Sequence, residues 1–183
     1  MKKTLLLAIA AMVPVLSSLA QTITPISSIQ TPVSASNDTS TLNNQAVTVR
    51  GVVMMEPDSW YQSNTTTGSS SIWIQTPGVS GPKSGIQVRL GNIQAGIGTG
   101  FMSLTPGQEV EIPGRVSYFS GETQINVDSL GSINVVNLGQ SIAGPDTLGV
   151  GTFYNASTVA QPTGEDYQGT YVAIKDVSVV SVN

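Results

Sequence analysis

Between Ala46 and Leu138 the chain is built of short apolar runs that alternate with polar residues and are separated by Gly- and Pro-rich turns. Such a period of two is typical of half-buried strands, because successive side chains point to opposite faces. No segment from Gln21 to Asn183 combines a helical apolar period with capping residues. We therefore predict an all-β domain.

Five strands are predicted in this region. Their ranges are about Ala46–Glu56, Ser71–Thr76, Gly85–Leu90, Gln108–Tyr118 and Thr123–Val127, and Ser132–Leu138 extends or follows the last one. Gly51 interrupts the first strand and predicts a bulge or sharp bend there, and Pro113-Gly114 predicts a bend in the fourth. The glycine-rich stretch Gly91–Leu104 is predicted to be a loop.

Composition excludes several kinds of chemistry. The chain contains no His and no Cys, so it has no Ser-His-Asp triad, thiolate, disulfide or imidazole-ligated zinc. It has seven basic and eleven acidic residues and a formal charge of −4. A strongly basic surface for binding phosphate backbones is therefore absent. We expect no cofactor and no metal.

Residues 1–20 have the three parts of a secretory signal peptide. Lys2 and Lys3 precede the apolar run Leu5–Leu16, and the small residues Ser18 and Ala20 precede Gln21. The alternative is a membrane anchor, but the run contains Pro14 and is short for a bilayer, which needs about 20 apolar residues. We predict cleavage after Ala20, a secreted or extracytoplasmic protein of charge −6 without Lys2 and Lys3, and no later membrane span.

The rest of the chain is divided by composition. Residues 21–45 form a polar lead-in with one ordered-looking patch, Ile23–Ile29, and residues 139–151 are interpreted as a linker. Val172–Val177 repeats the pattern of Val47–Val52, so residues 152–183 are predicted to be the truncated start of a second β domain. One strand cannot bury its own face, which implies a downstream domain in a longer polypeptide.

The predicted strands carry a series of short motifs in a fixed order. They are Val47-Thr48-Val49-Arg50-Gly51-Val52-Val53, Ile72-Trp73-Ile74-Gln75, Gly85-Ile86-Gln87-Val88 and the run from Gly107 to Ile125. In this order they resemble the OB-fold modules of secreted bacterial endonucleases and related multidomain exported proteins. The resemblance covers about Ile23–Leu138 and implies a five-stranded OB-fold-like barrel over residues 46–138.

The sequence departs from the family pattern at two places. Thr76-Pro77 follows Gln75 where the family often has an acidic residue, and Gly91–Gly100 lacks helix-forming residues where an OB fold usually has a helix. In such nucleases the chemistry lies in a separate downstream domain. The resemblance therefore implies an accessory role for this chain, although its full-length parent could be a secreted nuclease.

An OB barrel binds ligands on its second and third strands and on the loops between strands one and two and strands four and five. The candidate ligand-binding residues there are Trp60, Tyr61, Lys83, Arg89 and Tyr118. Aromatic rings can stack on bases or sugars, and a cation can contact a phosphate. The alternative is structural: Trp73 and Phe119 lie in the core, Tyr118 packs against the hairpin, and Trp60 covers the barrel mouth.

Glu109 and Glu111 lie two residues apart on a predicted strand and therefore share one face. They could form a carboxylate pair, but metal sites need several converging oxygen ligands. We interpret them as part of a solvated face.

The leading functional hypothesis is a non-catalytic accessory binding module of a secreted nuclease-like or cell-surface protein that contacts single-stranded nucleic acid. The alternative is a structural, adhesive or glycan-binding spacer, with a polysaccharide as the partner. An enzymatic activity of this segment itself is the third possibility.

Overall fold

A mixed six-stranded sheet forms the body of the protein. The computed structural model describes residues 22–57, 68–94, 98–127, 132–153 and 162–178. The strands are β1 (Pro32–Ser34), β2 (Asn37–Ser40), β3 (Ala46–Val53), β4 (Ser70–Gln75), β5 (Gly85–Leu90), β6 (Glu109–Phe119), β7 (Glu122–Asn126), β8 (Asn134–Asn137), β9 (Asp146–Gly149) and β10 (Val172–Lys175). The helical turns are α1 (Ile26–Ile29) and the 3-10 turns Phe101–Ser103, Val150–Thr152 and Pro162–Tyr167.

The main sheet closes on itself. Its strand order is β3-β4-β5-β7-β6-β8, and a further pairing between β3 and β6 completes the ring. The β5–β7 pair is parallel, whereas the other pairs of this sheet are antiparallel. This is the predicted all-β barrel of five OB-like strands, and β8 adds to the first residues of β6. The OB-like architecture inferred from the motif order is confirmed.

The strand β3 changes partners near its end. It pairs with β6 from Ala46 to Val52 and with β4 at Val52 and Val53. The β3–β6 register passes through Gly51 without a bulge, and the sharp bend predicted as the alternative stays a prediction. The glycine is needed for space: a Cβ there would lie 3.0 Å from the Ile74 side chain. Close approach of two strands, and not a special backbone angle, therefore accounts for this residue.

The core fills the barrel with side chains from the inward face of each strand. Ile72, Ile74, Ile86, Val88 and Ile125 are fully buried there. Helix α1 adds Ile26 and Ile29 to the same cluster. This four-residue turn has no side-chain cap and is too short to show a period of 3.6, so it leaves the predicted all-β class unchanged.

The predicted loop Gly91–Leu104 also contributes to the core. Phe101 begins a 3-10 turn and, like Leu104, is buried against the barrel. Within the described part of this segment, residues 91–94 and 98–104, no longer helix occurs. A single large ring thus covers the barrel at the position where an OB fold usually carries a helix.

Both Glu109 and Glu111 were predicted to lie on a solvated face, and this prediction is wrong for Glu109. Glu109 is 6% exposed, and its Oε1 lies 2.8 Å from Nε of Arg50 on the neighbouring strand. Glu111 is more exposed and lies 3.9 Å from the same guanidinium. The pair is therefore an ion-pair network with Arg50 that compensates the burial of one carboxylate.

The last described residues pack against the barrel. We define the C-terminal segment as residues 162–178; it includes β10, which pairs in parallel with β9 from the predicted linker. A strand is present at the predicted position, as β10, whereas its assignment to a second β domain and the boundaries at residues 139 and 152 stay predictions. None of the helices in the described ranges has the length and apolar character of a membrane crossing.

Candidate ligand-binding face

The outward-facing side chains of β4, β5 and β7 form one continuous face of the barrel. Because alternate residues point inward, Ile72 and Ile74 enter the core, whereas Ser71, which is 2% exposed, and the partly exposed Trp73 lie on the opposite face of the strand. On β5 the outward residues are Gln87 and Arg89. Register places Ser71 opposite Arg89 and Trp73 opposite Gln87.

One end of this face is a polar groove, which we call the Arg89 groove. It encloses about 480 Å³ and is lined by Ser71, Gln87, Arg89, Phe119, Ser120, Glu122 and Gln124. The Gln87 amide donates to Oγ of Ser71 at 3.3 Å, which orients the amide along the groove floor. Among the described residues no carboxylate forms an ion pair with Arg89. Its guanidinium is the one cation among the described residues that line the groove.

Phe119 is the aromatic residue of the groove. It ends β6 at the hairpin to β7 and is 69% exposed. Its alternative assignment to the core was therefore wrong. The alternation of β6 indicates that the Phe119 side chain points outward. Val110, Ile112 and Val116 point inward, and Phe119 falls in the opposite phase. An exposed ring beside a guanidinium is an arrangement suited to stacking.

The other end of the face is an apolar pocket, which we call the Trp73 pocket. It encloses about 590 Å³ and is lined by Met54, Met55, Trp73, Ile142, Gly169, Thr170 and Tyr171. Trp73 is partly exposed, so its alternative assignment to the core was also wrong. Tyr171 is 50% exposed and belongs to the C-terminal segment.

The groove and the pocket adjoin each other. Trp73 and Gln87 are directly paired across β4 and β5, so their Cβ atoms are about 5 Å apart. Ser71 in the groove and Trp73 in the pocket follow one another on the same strand face, about 7 Å apart. The outer face is therefore amphipathic, with amides and a cation at one end and rings and thioethers at the other.

The predicted site residues fall in different places. Arg89 lines the groove, as its position on the third strand of the barrel implied. Trp60 and Tyr61 lie outside the described residues. The ammonium of Lys83 lies 3.4 Å from Oδ1 of Asp166, and Lys83 lines neither cavity. The roles of these residues in ligand binding stay predictions.

Tyr118 lies next to Phe119 but points elsewhere. Its hydroxyl donates to Oδ1 of Asp38 on β2 at 2.7 Å, and it is not among the residues that line the groove. That hydrogen bond, together with burial and the nearby carboxylates, raises the pKa of Tyr118. The predicted contact of Tyr118 with ligand also stays a prediction. In the structure its hydroxyl links β2 to the barrel.

Glu122 brings a negative group to the groove. Burial raises the pKa of its carboxyl above the ordinary value. Because it lies near the same end of the face as Arg89 and Phe119, it disfavours a dense row of phosphates there. The groove is therefore better suited to contacts through rings, amides and one cation than to binding by charge alone.

Sequence reasoning missed the residues contributed by distant parts of the chain. Tyr171 and Ile142 reach the Trp73 pocket from beyond the barrel domain. Gln124 faces the groove from β7. Strand alternation could have placed Gln124, but no local pattern indicates which segment covers Trp73.

No family model matches the chain, and no curated protein is significantly similar to it. An OBody bound to hen egg-white lysozyme is 16% identical over 64% of this chain and 94% of its own length, with a TM-score of 0.43. An aspartyl-tRNA synthetase from Entamoeba histolytica is 12% identical over 76% of this chain and 26% of its own, with a TM-score of 0.44. TiaS in complex with agmatine is 21% identical over 57% of this chain and 25% of its own, with a TM-score of 0.38. Similarities this distant transfer no function to the chain.

Proposed function

We propose that the barrel is a non-catalytic binding module that holds single-stranded nucleic acid on its outer face. One observation carries the proposal: the 69% exposed ring of Phe119 shares a groove with the guanidinium of Arg89. A ring stacks on a base of any sequence, and a guanidinium contacts phosphate. The amide of Gln87, which is partly exposed, can pair with a base edge.

The charges of the groove set the expected strength and salt dependence. Arg89 is the one cation in the described lining of the groove, Glu122 lies in the same groove, and the whole chain has a formal charge of −4. One phosphate contact on a single strand gives a slope of about −0.7 in log affinity against log salt. We therefore expect binding that depends weakly on salt and mainly on stacking.

The test is a titration of a labelled oligothymidine with the full chain at about 50 and 200 mM salt. Arg89→Gln should abolish most of the salt dependence, and Phe119→Ser should weaken binding by about 10-fold. Two matched controls remove the same groups elsewhere: Lys175→Gln removes an exposed cation of β10, and Leu138→Ser removes a 75% exposed apolar side chain. Equal effects in variant and control would contradict the proposal, as would hydrolysis of the oligonucleotide by the purified chain.

A glycan is the second candidate ligand. The specific observation in its favour is the low charge of the groove, since stacking and amide hydrogen bonds suffice to bind a neutral sugar. In that case a polysaccharide fragment would bind without any dependence on salt, Phe119→Ser would weaken it, and Arg89→Gln would leave the slope at zero. The module would then serve as an adhesive or structural spacer.

The exported context is a proposal that rests on residues 1–20. The basic start, the apolar run and the small residues before Gln21 support export and removal of the segment. A secreted nuclease-like or cell-surface parent would use the barrel to bring its substrate close. N-terminal sequencing of the protein recovered outside the cytoplasm should give Gln21 as the first residue, and an intact Met1 there would contradict the proposal.

A further inference from the structure

The Trp73 pocket is built by three parts of the chain. The barrel supplies Met54, Met55 and Trp73, the C-terminal segment supplies Gly169, Thr170 and Tyr171, and Ile142 comes from the stretch between them. Tyr171 follows Trp73 by almost a hundred residues in the sequence. The pocket therefore exists only when the C-terminal segment lies against the barrel.

Specific contacts hold that segment in place. The side chain of Gln168 accepts from the Thr123 amide and donates to the Gly121 carbonyl, both at 2.8 Å. The Gln30 amide bridges the carbonyls of Gly85 and Gln168, at 2.9 and 3.2 Å. Gly85 and Gly169 touch backbone to backbone, and a Cβ on Gly85 would overlap the Gly169 carbonyl. The second wall of the pocket thus has a defined position.

The chemistry of the walls selects a flat ring. An indole and a phenol ring, two thioethers and the Ile142 side chain line the pocket, and its volume of about 590 Å³ is typical of small-molecule sites. Thioethers contact aromatic rings favourably, and rings stack on rings. No described acidic or basic side chain lines the pocket, so stacking and apolar contact are the interactions that these walls offer a ring.

The pocket adjoins the Arg89 groove through the Trp73–Gln87 pair on one strand face. A strand that crosses the groove therefore passes the pocket opening within one or two nucleotides. We propose that the Trp73 pocket binds one unstacked base of the bound single strand, while neighbouring nucleotides lie in the Arg89 groove. This inference rests on the proposed function and assigns the C-terminal segment a direct part in the site.

The test is a short oligothymidine in which a single abasic position is moved along the strand, titrated against the full chain. One position should fall in the Trp73 pocket, and loss of its base should weaken binding to the unmodified protein by about 10-fold or more. In Trp73→Ser and Tyr171→Ser this penalty should disappear, because the base no longer has a ring to stack on. Leu138→Ser, the matched surface control, should retain it.

Phe119→Ser separates the two ends of the face. It should remove the penalty at a different abasic position and keep the one assigned to the pocket. Tyr171 is half exposed, so its substitution leaves the barrel core untouched, and circular dichroism checks the fold of each variant. If Trp73→Ser does not fold, Tyr171→Ser alone tests whether the Trp73 pocket binds a base.

The outcomes distinguish the two proposals. If the unmodified protein does not bind the strand at all, the proposed function fails and the base pocket fails with it. If the strand binds but no abasic position is sensitive, or if the penalty survives in Tyr171→Ser, the base pocket is overturned and the proposed function stands. Loss of the penalty in Leu138→Ser would also overturn it.

Discussion

The barrel and the C-terminal segment are held together by different forces. The barrel buries a continuous apolar cluster that ends at Val127 in the described chain. In the C-terminal segment none of the described side chains of residues 164–178 is fully buried, and its contacts to the barrel are hydrogen bonds, one ion pair and a backbone contact. Stability and site shape therefore come from separate regions. The barrel supplies the stability, and the C-terminal segment completes the shape of the site.

The largest effect is expected from the barrel core. Ile112 is fully buried in β6, and Ile112→Ala should lower the free energy of unfolding by about 2–5 kcal/mol, because it removes buried apolar atoms and leaves a cavity. Ile174 in β10 is 41% exposed, and Ile174→Ala should stay within about 0.5 kcal/mol. Urea unfolding followed by circular dichroism measures both. Equal losses would show that the two regions share one core.

The next prediction tests whether the C-terminal segment can detach while the barrel stays folded. In Gly85→Ala the added methyl group would overlap the Gly169 carbonyl, so the segment must shift away. We expect faster proteolysis near Thr170 with less than about 1 kcal/mol change in the unfolding of the barrel. Gly139→Ala places its methyl group in open space and is the matched control. A large loss of barrel stability would show that the C-terminal segment and the barrel do not have separate roles.

A smaller effect is expected at Gln168. Replacement by Ala removes both hydrogen bonds of its amide to the β6–β7 hairpin and the following strand. Each such bond contributes about 1 kcal/mol, so the amides of residues 166–171 should exchange with solvent about 10-fold faster or more. Hydrogen exchange measured by mass spectrometry locates the change. Unchanged exchange there would mean that the remaining contacts, those of Gln30, Lys83 and Gly85, hold the segment without the Gln168 side chain.

The smallest effect concerns pH. Burial, Asp38 and Asp166 together raise the pKa of Glu165, so its ionised form is disfavoured when the segment is docked. Its contribution to docking is therefore fully present below the ordinary pKa of 4.5 and is lost as pH rises through the raised value. Glu165→Gln should slow proteolysis of the segment at pH 7 and have no effect below pH 4.5. A difference that persists at low pH would assign the effect to something other than this charge.

Local pattern was sufficient to predict the barrel strands. The predicted third strand has the bounds of β5, and the second and fifth differ from β4 and β7 by one residue at each end. Alternation and turn residues determine these features, because both act over a few neighbours. The motif order was also enough to predict how the strands join into an OB-like ring.

Features that depend on distant residues were not predictable in this way. The burial of Glu109 could not be predicted, because its partner Arg50 is 59 residues away in the sequence. The wall of the Trp73 pocket depends on the contact between Gly85 and Gly169, which no local signal indicates. Of the candidate site, Arg89 followed from its strand position, while Phe119 required the phase of β6 to be followed to its last residue.

The pairing of β3 with β6 has a consequence for how the chain becomes a barrel. Residues such as Ala46 and Arg115 must meet although 69 positions separate them, so ring closure costs considerable chain entropy and comes late. Until then both borders of the growing sheet present unpaired N–H and C=O groups, which other chains can bind. We therefore expect molecules of this protein to be most prone to self-association before β6 has paired with β3.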